Sequence, residues 1–181
     1  MLIALEKNDF ENVYSIMEDS FCTDEFRPYL EQYELLEKTN YKIYVLKDYC
    51  TKSVKAFIAL WQFKDFCFIE HFAVDRKYRG EGIGSMIIKE ITKMRKCPIC
   101  LEVEPPKTDV AKKRIEFYEQ NGFCLNNYSY IQPPISENRK AIPLLIMTSS
   151  AKISEETFEY YKSVLYEKVY GVETCLHQDR K

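Results

Sequence analysis

Arg79-Gly80-Glu81-Gly82-Ile83-Gly84-Ser85 joins a cation to three of the chain's five glycines. An apolar run ending Phe72-Ala73-Val74 precedes it, and an amphipathic run starting at Ile83 follows. A strand, a glycine turn and a helix in that order aim main-chain N–H groups at an anion such as a phosphate. Glycine removes the side chains that would hold the anion away and permits positive φ. Arg79 adds a planar cation beside it. Two phosphate loops are excluded. A nucleoside triphosphate loop needs Gly-x-x-x-x-Gly-Lys followed by Ser or Thr, and a dinucleotide fingerprint needs glycine where Ser85 stands.

Carboxylates stand in the strands on either side. In the run 66–74 a period of two places Phe66, Phe68, Glu70, Phe72 and Val74 on one face, with His71 on the other. A buried, unpaired Glu70 would be costly, so it must find a partner, meet water or hold its proton. Its bland reading is an edge or bulge carboxylate satisfied by a nearby lysine. In the next strand Cys100, Glu102 and Glu104 share one face and Ile99, Leu101 and Val103 the other. Two poorly solvated acids two residues apart raise each other's pKa; Glu104, beside Pro105, reads more simply as a solvated charge.

The elements that must position these groups follow from period and punctuation. Strands are expected over 2–6, 41–47, 54–63, 66–74, 99–103, 123–130 and 144–148, rich in β-branched and aromatic residues. Helices are expected from a cap at Asp9 to Ser20, from Pro28 to Lys38, from Ile83 to about Met94, from a cap at Thr108 or Asp109 to Asn121, and from Glu155 to Tyr170. Gly122 stops the fourth of these helices. This is an α/β (α+β) chain with one central, mostly antiparallel sheet flanked by helices.

Bulk properties narrow the function. A chain of 181 residues that is 46% hydrophobic can bury one core. A net charge of −2 with no basic stripe argues against nucleic acid. No apolar stretch reaches the ~18–20 residues of a membrane span, and the opening residues turn charged too early for a secretion signal, so a cytoplasmic location is expected. Seven cysteines in apolar runs fit reduced thiols. Cys97-Pro98-Ile99-Cys100 lies between a helix and a strand, the wrong context for a redox pair. His71 and His177 match no finger spacing, so no metal is expected.

Arg-x-x-Gly-x-Gly after Phe-Ala-Val-Asp resembles the pyrophosphate loop of the GNAT N-acetyltransferases, which bind acetyl-CoA. The element order matches that family over roughly residues 1–149. The resemblance implies an acetyl-CoA-binding N-acetyltransferase domain over 1–149, with the C-terminal helix and tail, 150–181, packed on it. It implies that the strand before the glycine loop and the strand after the next helix splay apart around the pantetheine arm. It places the cofactor contacts on Phe72, Ala73, Val74, Arg79, Gly80, Glu81, Gly82, Ile83, Gly84 and Ser85, with an N–H near Phe72–Val74 holding the thioester carbonyl.

Glu70 is the first candidate for the base that takes a proton from a primary amine, which must be neutral before it attacks; Glu102 is the second. Tyr118, four residues before Gly122-Phe123, corresponds to the tyrosine that donates to the departing thiolate; core packing is its plain alternative. Ala111 stands where many members carry an asparagine. The resemblance also places 21–28, 101–106 and 130–134 around the acceptor, a small-molecule or peptide amine, and acid-rich walls there suit a cation. A non-catalytic acyl-CoA sensor is the alternative. The aromatic stripe Phe158, Tyr161, Leu165, Tyr166 could instead pack on a partner chain, which leaves a homodimer open.

Overall fold

The computed structural model describes residues 1–172; Cys175 and His177 lie outside them. A seven-stranded sheet comprises β1 (Ile3–Ala4), β2 (Tyr41–Lys47), β3 (Val54–Gln62), β4 (Cys67–Val74), β5 (Ile99–Val103), β6 (Phe123–Gln132) and β7 (Ile142–Ser149). Their spatial order is β1-β2-β3-β4-β5-β7-β6. Only β4 and β5 pair in parallel; every other pair is antiparallel. The helices are α1 (Phe10–Ser20), α2 (Tyr29–Glu34), α3 (Ile83–Met94), α4 (Asp109–Gln120) and α5 (Glu155–Lys168).

The sheet separates two cores. On one face Trp61, Phe57, Phe66 and Phe68 meet Phe10 and Met17 of α1 and Phe158 and Leu165 of α5. On the other, Ile58, Leu60, Ile69 and Leu101 meet Ile87, Ile88 and Ile91 of α3 and Ile115 and Tyr118 of α4. The stripe of α5 is therefore committed to its own sheet, with Phe66 and Tyr161 stacked at 3.9 Å. Burial of Phe158, Tyr161 and Leu165 contributes on the order of 5–8 kcal/mol, so this face is not available to a partner chain.

Capping settles two local questions. Thr108, not Asp109, caps α4, its side chain accepting from the Ala111 N–H at 3.1 Å. Asp9 holds the cap position of α1 without capping it; its carboxylate instead pairs with Lys47 at 2.5 Å. A cation on the neighbouring strand outcompetes the local main-chain donors.

The strict alternation expected along 66–74 does not hold. Leu60 pairs with Ile69 and Ala59 with His71, so Glu70 is an extra residue in β4. This β-bulge changes the phase of the strand. Phe66 and Phe68 face the α1/α5 core, whereas Phe72 and Val74 pack on the opposite side with α3. His71 consequently lies beside Glu70 rather than across the sheet from it. A period of two cannot survive an inserted residue.

Candidate active site

The parallel pairing of β4 and β5 stops at Ile69↔Leu101. Beyond it the strands part, and a cleft of about 490 Å³ opens between them. The Val74 carbonyl accepts from Arg79 Nε at 2.9 Å, while the next N–H, that of Asp75, bonds Lys55 on the β3 side. Alternation along the strand then turns the main-chain groups of Phe72 and Val74 toward the cleft and those of Ala73 toward β3. Two amides of β4 thus have no β5 strand beside them, an edge that an extended ligand can pair with.

One end of the cleft is built by the glycine loop. Gly80 and Gly82 adopt φ of +84° and +76°, and Gly82 starts α3. Ile83, Gly84 and Ser85 form the first turn of α3 and line the cleft, where their N–H groups have no helical carbonyl to bond. Arg79 lines it too, its guanidinium within 3.2 Å of Ser20 Oγ. Gly84 has a different reason to lack a side chain from the one its motif suggests. It has no positive φ, and a Cβ there would lie 3.1 Å from the Phe117 ring of α4. Its absence lets α4 close on α3. Gly84→Ala is expected to lower stability by about 1 kcal/mol, crowding outweighing the better helix propensity. Thermal unfolding should show recovery in the Gly84→Ala/Phe117→Leu double variant; a stabilised single variant would return Gly84 to the anion.

The other end is acidic, and its two buried carboxylates differ in electrostatic state. Glu70 pairs with Arg27 Nη1 at 2.6 Å, their side chains 2% and 6% exposed. Burial pushes the Glu70 carboxyl up, but the Arg27 guanidinium more than offsets this and holds it below its usual range. The partner is an arginine from the break between α1 and α2, not a lysine. His71 Nε2 lies 2.9 Å from the Glu25 carbonyl. A carbonyl only accepts, so Nε2 carries the proton. Burial holds His71 below its ordinary pKa, which leaves Nδ1, 3.7 Å from Glu70, without a proton to share.

Among the described residues no cation lies beside Glu102. Tyr170 donates to both its oxygens, at 2.9 and 2.7 Å, and Tyr130 donates to Oε1. Burial dominates over these hydrogen bonds and pushes its carboxyl up to about 7. Glu104 is more exposed and pairs with Arg114 at 3.0 Å. Tyr118 lines the cleft between Phe117 and Phe123, 8% exposed. Burial pushes its phenol up to about 12, so at neutral pH it is a hydrogen-bond donor.

The cleft therefore gathers Glu70, Glu102, Tyr118, Phe72, Ala73, Val74, Arg79, Gly80, Gly82, Ile83, Gly84 and Ser85; Glu81 is not among its lining residues. Ser85 Oγ is engaged by the Asn121 side chain at 3.1 Å, which leaves its main-chain N–H as the group to offer a ligand. Arg27 and Tyr130 fall in the segments 21–28 and 130–134 expected around the acceptor, but sequence reasoning missed their contacts with Glu70 and Glu102, and it missed Tyr170 altogether. Arg27 carried a signal, being a cation within the inter-helix break. Tyr170 carried only its place before Gly171. Cys97 and Cys100 do not form a site together. Cys97 Sγ lies 3.4 Å from that of Cys67, while Cys100 is buried on β5. Among the described residues no cluster of three or more His, Cys, Asp or Glu could hold a metal, and no helix is long and apolar enough to cross a membrane.

Comparison with known proteins bears on this geometry. A family model described as an acetyltransferase (GNAT) domain matches residues 39–124. The candidate acetyltransferase YjbC of Bacillus subtilis (strain 168) is 29% identical over 113 residues, a match spanning 60% of this chain and 58% of the relative. A candidate GNAT-family acetyltransferase from Bacteroides thetaiotaomicron superposes with a TM-score of 0.85 at 28% identity, covering 96% of this chain and 99% of its own. The ribosomal-protein-S18-alanine N-acetyltransferase of Escherichia coli shares the fold at TM-score 0.59 and 20% identity, over 86% of this chain and 96% of its own.

Proposed function

We propose that this chain is a GNAT acetyltransferase that moves an acetyl group from acetyl-CoA to a primary amine by direct attack in a ternary complex. Acetyl-CoA supplies the activated acyl group. The residues present suit it: a glycine turn with positive φ, the free first turn of α3 and Arg79 for a diphosphate, and an unpaired β4 edge for an amide-bearing arm. The Phe72 and Val74 amides bind that arm and offer an N–H to the thioester carbonyl, where such a donor is worth a few kcal/mol in the transition state.

Glu102 takes the proton from the ammonium. A base poised near 7 combines ionisation at working pH with useful proton affinity. Glu70, locked to Arg27 and held acidic, has its charge balanced by that guanidinium and is a poorer proton acceptor. Tyr118 donates a hydrogen bond to the departing sulfur. The observation that carries this reading is one cleft with first-turn helix amides at one end and, at the other, a buried carboxylate with no cation beside it among the described residues. Proteins of the same fold named as acting on spermidine or on an alanine of ribosomal protein S18 have amine acceptors, in keeping with it.

Thiol release from acetyl-CoA with a panel of small amines, polyamines and peptides tests it. Turnover with at least one amine is expected. In Tyr118→Phe, kcat should fall about tenfold with KM little changed, since a thiol is already a fair leaving group. Binding of acetyl-CoA without turnover across the panel would favour an acyl-CoA sensor instead, and the absence of binding by a folded protein would end both readings.

A further inference from the structure

We propose that Tyr170, just past the end of α5, is a positioning residue that with Tyr130 fixes the Glu102 carboxylate in the cleft and sets how readily it takes a proton. This rests on the reading of Glu102 as the proton acceptor, but its geometry stands independently. The Tyr170 hydroxyl bridges both carboxylate oxygens, and Tyr130 reaches Oε1 from β6. Burial holds both phenols well above their ordinary pKa, so both remain donors to the ionised form.

The chain is shaped to deliver this contact. Gly171, with φ of +67°, turns the chain out of α5, and the Val172 N–H closes on the Tyr166 carbonyl. The same turn is pinned from below. Arg27 Nη2 donates to the Val169 carbonyl at 2.8 Å while its Nη1 holds Glu70. One helix end thereby holds Glu102 directly and Glu70 through its counter-ion. Tyr130, Tyr170 and Arg27 all lie outside residues 39–124, the segment matched by the acetyltransferase domain. The acid end is finished by parts of the chain that do not belong to that match.

The charged and titratable groups facing Glu102 decide the sign. Tyr130 on β6 and Tyr170 after α5 favour its ionised form. Glu70 on β4 and Glu25 from the turn after α1 oppose it. Arg27 is engaged by Glu70, and Cys100 on β5 and Tyr166 on α5 are uncharged neighbours. Loss of the Tyr170 hydroxyl should therefore raise the proton affinity of Glu102.

Carboxyl titration by NMR on protein carrying ¹³C-labelled glutamate reads this without turnover; the Glu102 signal is the one lost in Glu102→Gln. In Tyr170→Phe its midpoint should rise by about one pH unit. The acid limb of kcat/KM should move with it, giving roughly tenfold less activity at pH 6 and little change at pH 9. Tyr160→Phe, which removes an exposed α5 hydroxyl bonded to Asp65, should leave both unchanged. Tyr130→Phe tests the same clamp from β6 should Tyr170→Phe fold poorly. An unshifted midpoint in folded Tyr170→Phe or, failing that variant, in Tyr130→Phe overturns the proposal. A shifted midpoint in a chain that acetylates no amine keeps the clamp and overturns the function instead.

Discussion

Glu102→Gln should lower kcat/KM for the amine by 10²–10⁴-fold, the usual worth of a positioned general base, while acetyl-CoA affinity holds. The wild-type profile should rise through about pH 7, and the residual rate of the variant should lose that limb. Stability should move the other way. Glu102 binds its proton more tightly in the folded protein than in the unfolded chain. Between the ordinary carboxylate value of 4.5 and about 7, the native state holds a proton that the unfolded state has released. Stability from this group is therefore highest below that window and falls as pH rises through it. The glutamine variant lacks this loss and should unfold at higher urea than wild type at pH 8, by on the order of 1–3 kcal/mol, with the gap narrowing at pH 5. An active, unstabilised variant would remove Glu102 from both roles. The opposed signs identify a group held in place for chemistry at a cost to the fold.

Arg27→Met should be the most destabilising single change at the acid end. The pair it breaks is almost fully enclosed, with side-chain exposures of 6% and 2%, and removal of one partner strands the other's charge. About 3–5 kcal/mol is expected, together with loss of the donor to the Val169 carbonyl. The double variant Arg27→Met/Glu70→Leu should recover much of that loss, because two apolar side chains need no counter-charge. The pH dependence follows from the depressed Glu70 carboxyl. Its stabilising contribution is present above the ordinary value of 4.5 and is lost as pH falls through its lower folded value. The deficit of the single variant should thus be largest near neutrality and shrink as pH falls through the lowered folded value of Glu70, beneath which the carboxyl is protonated in both states. Urea midpoints followed from pH 7 downward check this. A single variant as stable as wild type would mean that water reaches Glu70 and that the pair does not anchor α5.

Local rules carried much of the fold. Strands such as Val54–Gln62 and Ile99–Val103 were legible because runs of β-branched and aromatic residues between polar turns have few alternatives. The glycine turn into α3 was legible because Gly80 and Gly82 sit at positive φ, where other residues are strained. Gly84 shows the limit of that reasoning. Its reason is a phenyl ring from α4, thirty-three positions away, and motif spacing alone credits it to the anion. The faces of His71, Phe72 and Val74 depart from the alternation because periodicity assumes an unbroken pleat, while β4 carries an inserted residue whose only trace is the register with β3.

The residue types along 70–122 determined by themselves that a glycine turn follows a strand and opens a helix, that two carboxylates stand in strands near it and that a tyrosine precedes Gly122 at helical distance. These are short-range statements, governed by backbone dihedrals, periodicity and side-chain chemistry within a few residues. How the two carboxylates differ in electrostatic state was decided only in three dimensions. Arg27 reaches Glu70 across 43 positions and Tyr170 reaches Glu102 across 68. A pKa depends on which charges, dipoles and solvent surround the group, and those neighbours come from a break between helices and the end of the last helix, brought together by a sheet that buries both its faces.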